Sequence, residues 1–245
     1  KNILAKLNNG IINMVFGTHS LFQKKTNFFN LGYIIIDEQH KFGVKQRKSL
    51  SDKGGNDCDV LLMSATPIPR TLTMTIYGDM DLSIIKEKPK LRKEIITYSK
   101  IDSKLNEVVN FVKKEIQNDN QVFWVCPLIE ESTKIDHQSA IKKYEFLKKI
   151  FPDKVAILHG SMISEQREKV LKNFLKRKYK ILVSTTIIEV GIDFPNANVI
   201  IIENANKFGL SQLHQLRGRV GRGNKQGTCI LLFKSNLSNN ARKRI

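Results

Sequence analysis

The 245 residues predict an α/β protein of parallel sheets flanked by helices, made of one partial lobe and one complete lobe. Three observations predict it. Short apolar runs recur, each closed by a polar or glycine-containing turn, with apolar side chains at successive positions as in strands buried on both faces. Segments with helical spacing lie between them, and strand followed by helix, repeated, makes βαβ units. One charged, proline-bearing segment, IIKEKPKLRKE from Ile84 to Glu94, breaks the rhythm as a linker does.

In chain order the predicted strands are IINMVFGTH from Ile11, YIIIDE from Tyr33, VLLMSATP from Val60, QVFWVCPLI from Gln121, VAILHG from Val155, KILVSTT from Lys180, NVIIIEN from Asn198 and TCILLF from Thr228. SKLNEVVNFVKKEIQN sets Leu105, Val108, Val109, Val112 and Ile116 on one helical stripe. SEQREKVLKNFLKRK does the same with Val170, Leu171, Phe174 and Leu175. Residues 1–88 form the carboxy-terminal part of a first lobe, 89–100 a linker and 101–245 a complete second lobe. A parallel sheet of only three strands would leave edges and a face uncovered, so the first lobe reads as truncated.

The formal charge is +18, from 41 Lys and Arg against 23 Asp and Glu. Such a field favours polyanions, above all nucleic acid, although Lys over Arg and abundant Ile and Asn also fit a compositional origin. Cys58, Cys126 and Cys229 are far apart and the histidines are scattered, which argues for free thiols and against a zinc site. No apolar run approaches the roughly 18 residues that cross a bilayer, and KNILAKLNNG lacks a signal-peptide layout. The expectation is a monomeric protein of a bacterial cytoplasm, with no membrane partner.

Ligands of open parallel sheets bind beyond the carboxyl ends of strands, where Asp37 and Glu38 end an apolar run. A carboxylate there suits Mg²⁺ held against phosphate, with a second acid on the attacking water; the alternative is a plain solvated loop. SATPIPR from Ser64 follows another buried run, and QLRGRVGRG from Gln215 sets Arg217, Arg219 and Arg222 among three glycines. Arginine presents a fixed fork of donors and glycine lets backbone approach a ligand, which suits phosphate; a simple phosphate or RNA contact uses the same chemistry. Phe123 and Trp124 read as core, Lys142, Lys143, Lys148 and Lys149 as a solvated helix face, and Lys169 to Lys180 as a further candidate for DNA backbone contact.

DEQHKFGVKQR, SATPIPRTL, YGDMDLS, VCPLIEES, TTIIEVGIDFPNANVIIIEN and FGLSQLHQLRGRVGRG together resemble the motor core of superfamily 2 helicases and translocases over nearly the whole chain. Among these the likeness is to branch-migrating DNA helicases, with transcription-repair coupling translocases as the near alternative. The resemblance implies RecA-like lobes and ATP with Mg²⁺ as cofactors. Asp37 would bind Mg²⁺ through water and Glu38 would orient or deprotonate the attacking water. His40, Ser64 and Thr66 would couple the nucleotide site to the second lobe. Gly191 and Asp193 would lie near ribose and phosphates, and Gln215, Arg219 and Arg222 would approach the γ-phosphate. Gly17, Thr18 and His19, with Ser184, Thr185 and Thr186, would face DNA.

The implied activity is ATP-driven translocation on double-stranded DNA that remodels stalled forks and Holliday junctions, with branched duplex DNA as partner. A non-enzymatic basic nucleic-acid-binding module is the rival. The sequence departs from the family by lacking G-x-x-x-x-G-K-[ST], the backbone cradle for the ATP phosphates. With that half of the nucleotide site missing, the chain reads as a fragment of a longer enzyme, and negligible ATP hydrolysis is expected from it alone.

Overall fold

The structure is a computed structural model that describes residues 2–38, 42–55, 58–64, 81–87, 92–127, 133–185, 193–235, 237 and 239–242. The chain divides into two compact units, Lys1–Ser83 and Ile84–Ile245. Among the described residues no helix is long and apolar enough to cross a membrane.

The first unit holds helix α1 (Asn2–Asn8), a 3-10 turn at His19–Phe22, strand β1 (Tyr33–Ile36), helix α2 (Val44–Gly54) and strand β2 (Asp59–Leu62). β1 and β2 pair in parallel, with Tyr33 opposite Asp59 and Ile36 opposite Leu62. Alternation then decides what is buried: Ile34 and Ile36 pack with Leu50, Phe22 and Phe42, while Tyr33, Ile35 and Leu61 stay exposed. One face of this small sheet has a core and the other has none among the described residues.

The predicted strand at Ile11 does not form. Gly10, at φ 71°, ends α1 in the left-handed region, and the amides of Ile11 and Ile12 turn back to the Lys6 carbonyl. Those donors are spent on the helix end, and Ile11, Met14 and Phe16 stand exposed at 66, 73 and 88%.

The second unit holds β3 (Ile96–Ile101), α3 (Leu105–Gln117), β4 (Gln121–Val125), α4 (Thr133–Ile150), β5 (Val155–Leu158), α5 (Ser164–Leu175), β6 (Ile181–Ser184), β7 (Ala197–Ile202), α6 (Leu210–Arg217), β8 (Thr228–Phe233) and the short α7 (Asn239–Arg242). Its six strands form one parallel sheet in the order β3-β8-β7-β4-β6-β5. β4 is central, and all five of its residues are buried. Val122 and Trp124 join Val108, Val112 and Leu147 of α3 and α4 on one face; Phe123 and Val125 join Phe174, Leu213 and Leu216 of α5 and α6 on the other. The Phe123 ring lies 5.5 Å from Phe174 and 5.4 Å edge-on from Phe194.

The α3 stripe is as expected, with Val108, Val109, Val112 and Ile116 buried. On α5, Phe174 is buried and Val170 and Leu171 are partly so, but Leu175, at the last helical position, is 42% exposed. β3 is not among the predicted strands, and it takes residues 96–100 of the segment read as linker. As an edge strand it is mostly exposed, so the apolar signal of a central strand is absent; pairing with β8 from Ile96 to Ile101 makes it a strand.

The reading of one basic residue is also corrected. Lys143 is not on a solvated face: its Nζ lies 2.6 Å from Glu203 and 5.4 Å over the Trp124 ring, half-buried. Arg177 and Lys180 both pair with Asp119, whose carboxyl is held below the usual range by the Lys180 hydrogen bond and charge, with lesser help from Arg177 and Lys225. Arg177 also donates to Asn196 Oδ1 at 2.6 Å, so these cations tie loops at the amino end of the sheet.

Cys126 and Cys229 are buried, and Cys58 is half-buried. Burial pushes the Cys229 thiol up to about 12 and that of Cys126 well above its ordinary value, the Glu203 carboxylate adding to the latter. Native protein treated with iodoacetamide at pH 8 is therefore expected to carry its label on Cys58, with the other two labelled only in denaturant. Peptide mass spectrometry checks this, and early labelling of Cys229 would contradict the packing described.

Candidate functional site

The parallel register of β1 and β2 sets Asp37 and Ser64 at one carboxyl edge, since Ile36 faces Leu62 and the Met63 amide donates to the Ile36 carbonyl at 2.8 Å. Asp37 is exposed; its Oδ1 accepts the Glu38 amide at 2.8 Å, and Oδ2 has no partner among the described residues. A carboxylate with one oxygen tethered and one open fits a hydrated Mg²⁺. Glu38 has φ 48°, a left-handed conformation costly for a side chain of this kind. His40 and Thr66 lie outside the described residues.

Gly17, Thr18 and His19 are exposed at the start of the 3-10 turn, with Thr18 as its N-cap but making no side-chain cap. The His19 ring is 4.7 Å from that of Phe42.

In the second unit α6 presents Gln215, and its end carries the arginine–glycine turn. The turn is pinned to the starts of β7 and β8. The Gly221 amide donates to the Ala197 carbonyl at 3.2 Å, φ at Gly221 is 66°, and a Cβ there would meet Gly227 backbone at 3.0 Å. At Gly223 a Cβ would lie 2.5 Å from the Pro195 carbonyl oxygen, so a side chain is excluded sterically. Val220, 0% exposed, anchors the loop from below.

This pinning brings Arg222 to Asp193: Nη1 is 3.6 Å from Oδ1, and Nε donates to the Gly218 carbonyl at 3.2 Å. Arg92 donates to the same carbonyl at 3.0 Å. Arg219 and Gln215 are half-buried. Two motifs far apart in sequence thus meet at the amino ends of β7 and β8. Arg92 escaped the sequence reading because it lies in the segment taken for linker, where no pattern marks it.

Ser184 and Thr185 stand at the opposite, carboxyl end of β6, both 0% exposed, their hydroxyls without a hydrogen-bond partner among the described residues. Gly191 and Thr186 lie outside the described residues. Also at the carboxyl ends, and missed from sequence, is the trio Lys143, Glu203 and Cys126, whose Sγ is 3.7 Å from Glu203 Oε2. Among the described residues no group of His, Cys, Asp and Glu is arranged to hold a metal by itself.

The sequence matches the family model for DEAD/DEAH box helicases over residues 1–75 and that of the helicase conserved C-terminal domain over residues 102–224, slightly more than half of the chain. This chain belongs to the helicase conserved C-terminal domain family. The helicase chain is 50% identical over 234 residues to the ATP-dependent DNA helicase RecG of Thermotoga maritima, covering 95% of the chain and 30% of that protein. To the RecG of Aquifex aeolicus it is 52% identical over 241 residues, 98% of the chain and 30% of the relative. A solved structure of RecG bound to a three-way DNA junction shares 44% identity and a TM-score of 0.69, over 99% of this helicase chain and 31% of the solved one. Parallel sheets flanked by helices, as in that RecA-like fold, are what the structure has. The helicase chain spans about a third of the length of the curated relatives it matches.

Proposed function

We propose that this helicase chain is part of the motor core of an ATP-dependent double-stranded DNA translocase that remodels branched DNA such as stalled forks and Holliday junctions. Its first unit is the carboxy-terminal part of one RecA-like lobe and its second a complete lobe. The reading is carried by the glycine-pinned turn that holds Arg222 against Asp193. A basic binding module needs charge but not a turn so tightly placed by its glycines. Phosphoryl transfer has every use for it, because that chemistry rests on positioning and charge more than on covalent help.

Asp37 would hold a hydrated Mg²⁺ and Glu38 would orient the attacking water. When bound, Mg²⁺ neutralises charge on the phosphate oxygens. Arg219, Arg222 and Gln215 stabilise charge as the γ-phosphoryl group leaves, with Asp193 steadying Arg222 between turnovers. His40, Ser64 and Thr66 would transmit the nucleotide state, and Gly191 would serve the ribose. Gly17, Thr18, His19, Thr185 and Thr186 would face DNA phosphates, whose recognition carries no sequence information. For Thr185, buried here, this requires the hydroxyl to come to the surface in the DNA-bound state. A RecG solved on a three-way junction supports branched DNA as the partner.

The test is ATP hydrolysis by the full-length gene product with a three-armed DNA junction, with linear duplex and without DNA. Junction-stimulated turnover is expected. DNA affinity that ignores nucleotide and falls steeply with salt, with no turnover, would instead establish a basic binding module.

A further inference from the structure

We infer that Lys53 is a positioning residue that couples the loop bearing Gly17, Thr18 and His19 to the acidic end of β1; the inference rests on the translocase reading above. Lys53 lies near the end of α2, and its ammonium donates to three main-chain carbonyls: Leu21 at 3.2 Å, Gln23 at 2.6 Å and Thr26 at 2.7 Å. All of its hydrogens are committed to one loop, and no carboxylate among the described residues takes part. The ring of Phe28 lies 5.9 Å from the same nitrogen. Thr26, 2% exposed, closes the loop on itself by donating its hydroxyl to the Ser20 carbonyl at 3.1 Å. Desolvation lowers the Lys53 pKa, consistent with an ammonium withdrawn from water to meet these carbonyls.

A second tie runs through rings. His19 lies 4.7 Å from Phe42 and Phe22 lies 5.1 Å from it. Phe22 and Phe42 pack on Ile34, Ile36 and Leu50, and Ile36 immediately precedes Asp37. Thus the exposed Thr18 and His19 are joined to α2 by an ammonium and to the base of the acidic strand end by aromatic contact. Packed cores shift between discrete arrangements more readily than they deform. A DNA phosphate that moves the turn therefore moves α2 and the Phe42 ring with it, and Asp37 and Glu38 are re-aimed. Lysine suits this post because its compact head directs donors to carbonyls that are not coplanar, which the flat fork of arginine matches only in part.

The experiment uses the full-length protein and a three-armed DNA junction. Turnover is measured with and without DNA, DNA affinity without nucleotide, and folding by circular dichroism. Lys53→Met is expected to leave basal turnover and nucleotide-free DNA affinity unchanged while lowering maximal DNA stimulation about tenfold, with Lys53→Arg recovering part of it. Full stimulation in Lys53→Met would overturn the inference. So would an equal loss of basal and stimulated turnover, because that marks a structural role alone. If Lys53→Met fails to fold, Phe42→Leu, which keeps an apolar side chain in the same cluster, is expected to show the same selective loss of stimulation, and either of the two contrary outcomes in it overturns the inference equally. Wild-type protein with no DNA stimulation would overturn the translocase reading itself, and the inference with it.

Discussion

Replacing Arg222 with alanine in the full-length protein is expected to lower DNA-stimulated ATP turnover by about 10³–10⁵ while leaving DNA affinity near wild type. The geometry explains why the two readouts separate. Arg222 makes a loose 3.6 Å pair with Asp193 and donates once to the Gly218 carbonyl. Exposed pairs of this kind contribute about 0–1 kcal/mol, so removing the side chain disturbs the resting fold little. The loss falls on the transition state, where a guanidinium meets charge that the ground state lacks. Arg222→Lys is expected to rescue poorly, because a point charge does not reproduce a fork of donors. Arg219→Ala should behave alike. Steady-state turnover and a separate DNA titration check both variants; lost DNA affinity with normal turnover would sink the assignment.

Trp124→Ala is expected to cost about 3–5 kcal/mol of the second unit's stability, the range for removing a buried large aromatic. Trp124 is 0% exposed on the central strand, packed among Val108, Val112, Leu147, Val183 and Ile201. Its loss also strips the Lys143 ammonium of the ring it lies over, on the residue that pairs with Glu203. With a slope typical of domains this size, the urea midpoint should fall by about 1–2 M. Far-ultraviolet circular dichroism must report it, since Trp124 is the sole tryptophan. Trp124→Phe should be far milder: it keeps an aromatic ring and removes an indole Nε1 that has no hydrogen-bond partner among the described residues. An alanine variant that unfolds at the wild-type midpoint would refute the central place given to β4.

How much could be read beforehand depended on where each element lies in the sheet. β4 and β7 are buried at every position, and such strands announce themselves by unbroken apolar runs. α3 was legible because its one buried face recurs at helical period. β3 was not, since an edge strand buries little and its ladder with β8 is made by residues far along the chain. The run at Ile11 failed in the opposite sense: apolar side chains promised a strand, but the backbone donors at its start were already engaged at the end of α1.

In the candidate site, Asp37 with Ser64 could be placed at one edge from strand order alone, because residues following parallel neighbours must emerge together. Arg222 beside Asp193 could not be, nor the ammonium of Lys53 among the carbonyls of Leu21, Gln23 and Thr26. A lysine in a basic chain carries no mark of its partner.

The amino-acid sequence alone determined the α/β class, the central strands, the acidic strand end and the arginine–glycine turn, because burial period and residue chemistry are local properties. Only tertiary structure decided which cations are solvated and which are held, where the edge strand lies, and which side chains meet. Those outcomes depend on distances between segments remote in the chain, and a distance of that kind is set by packing, not by order.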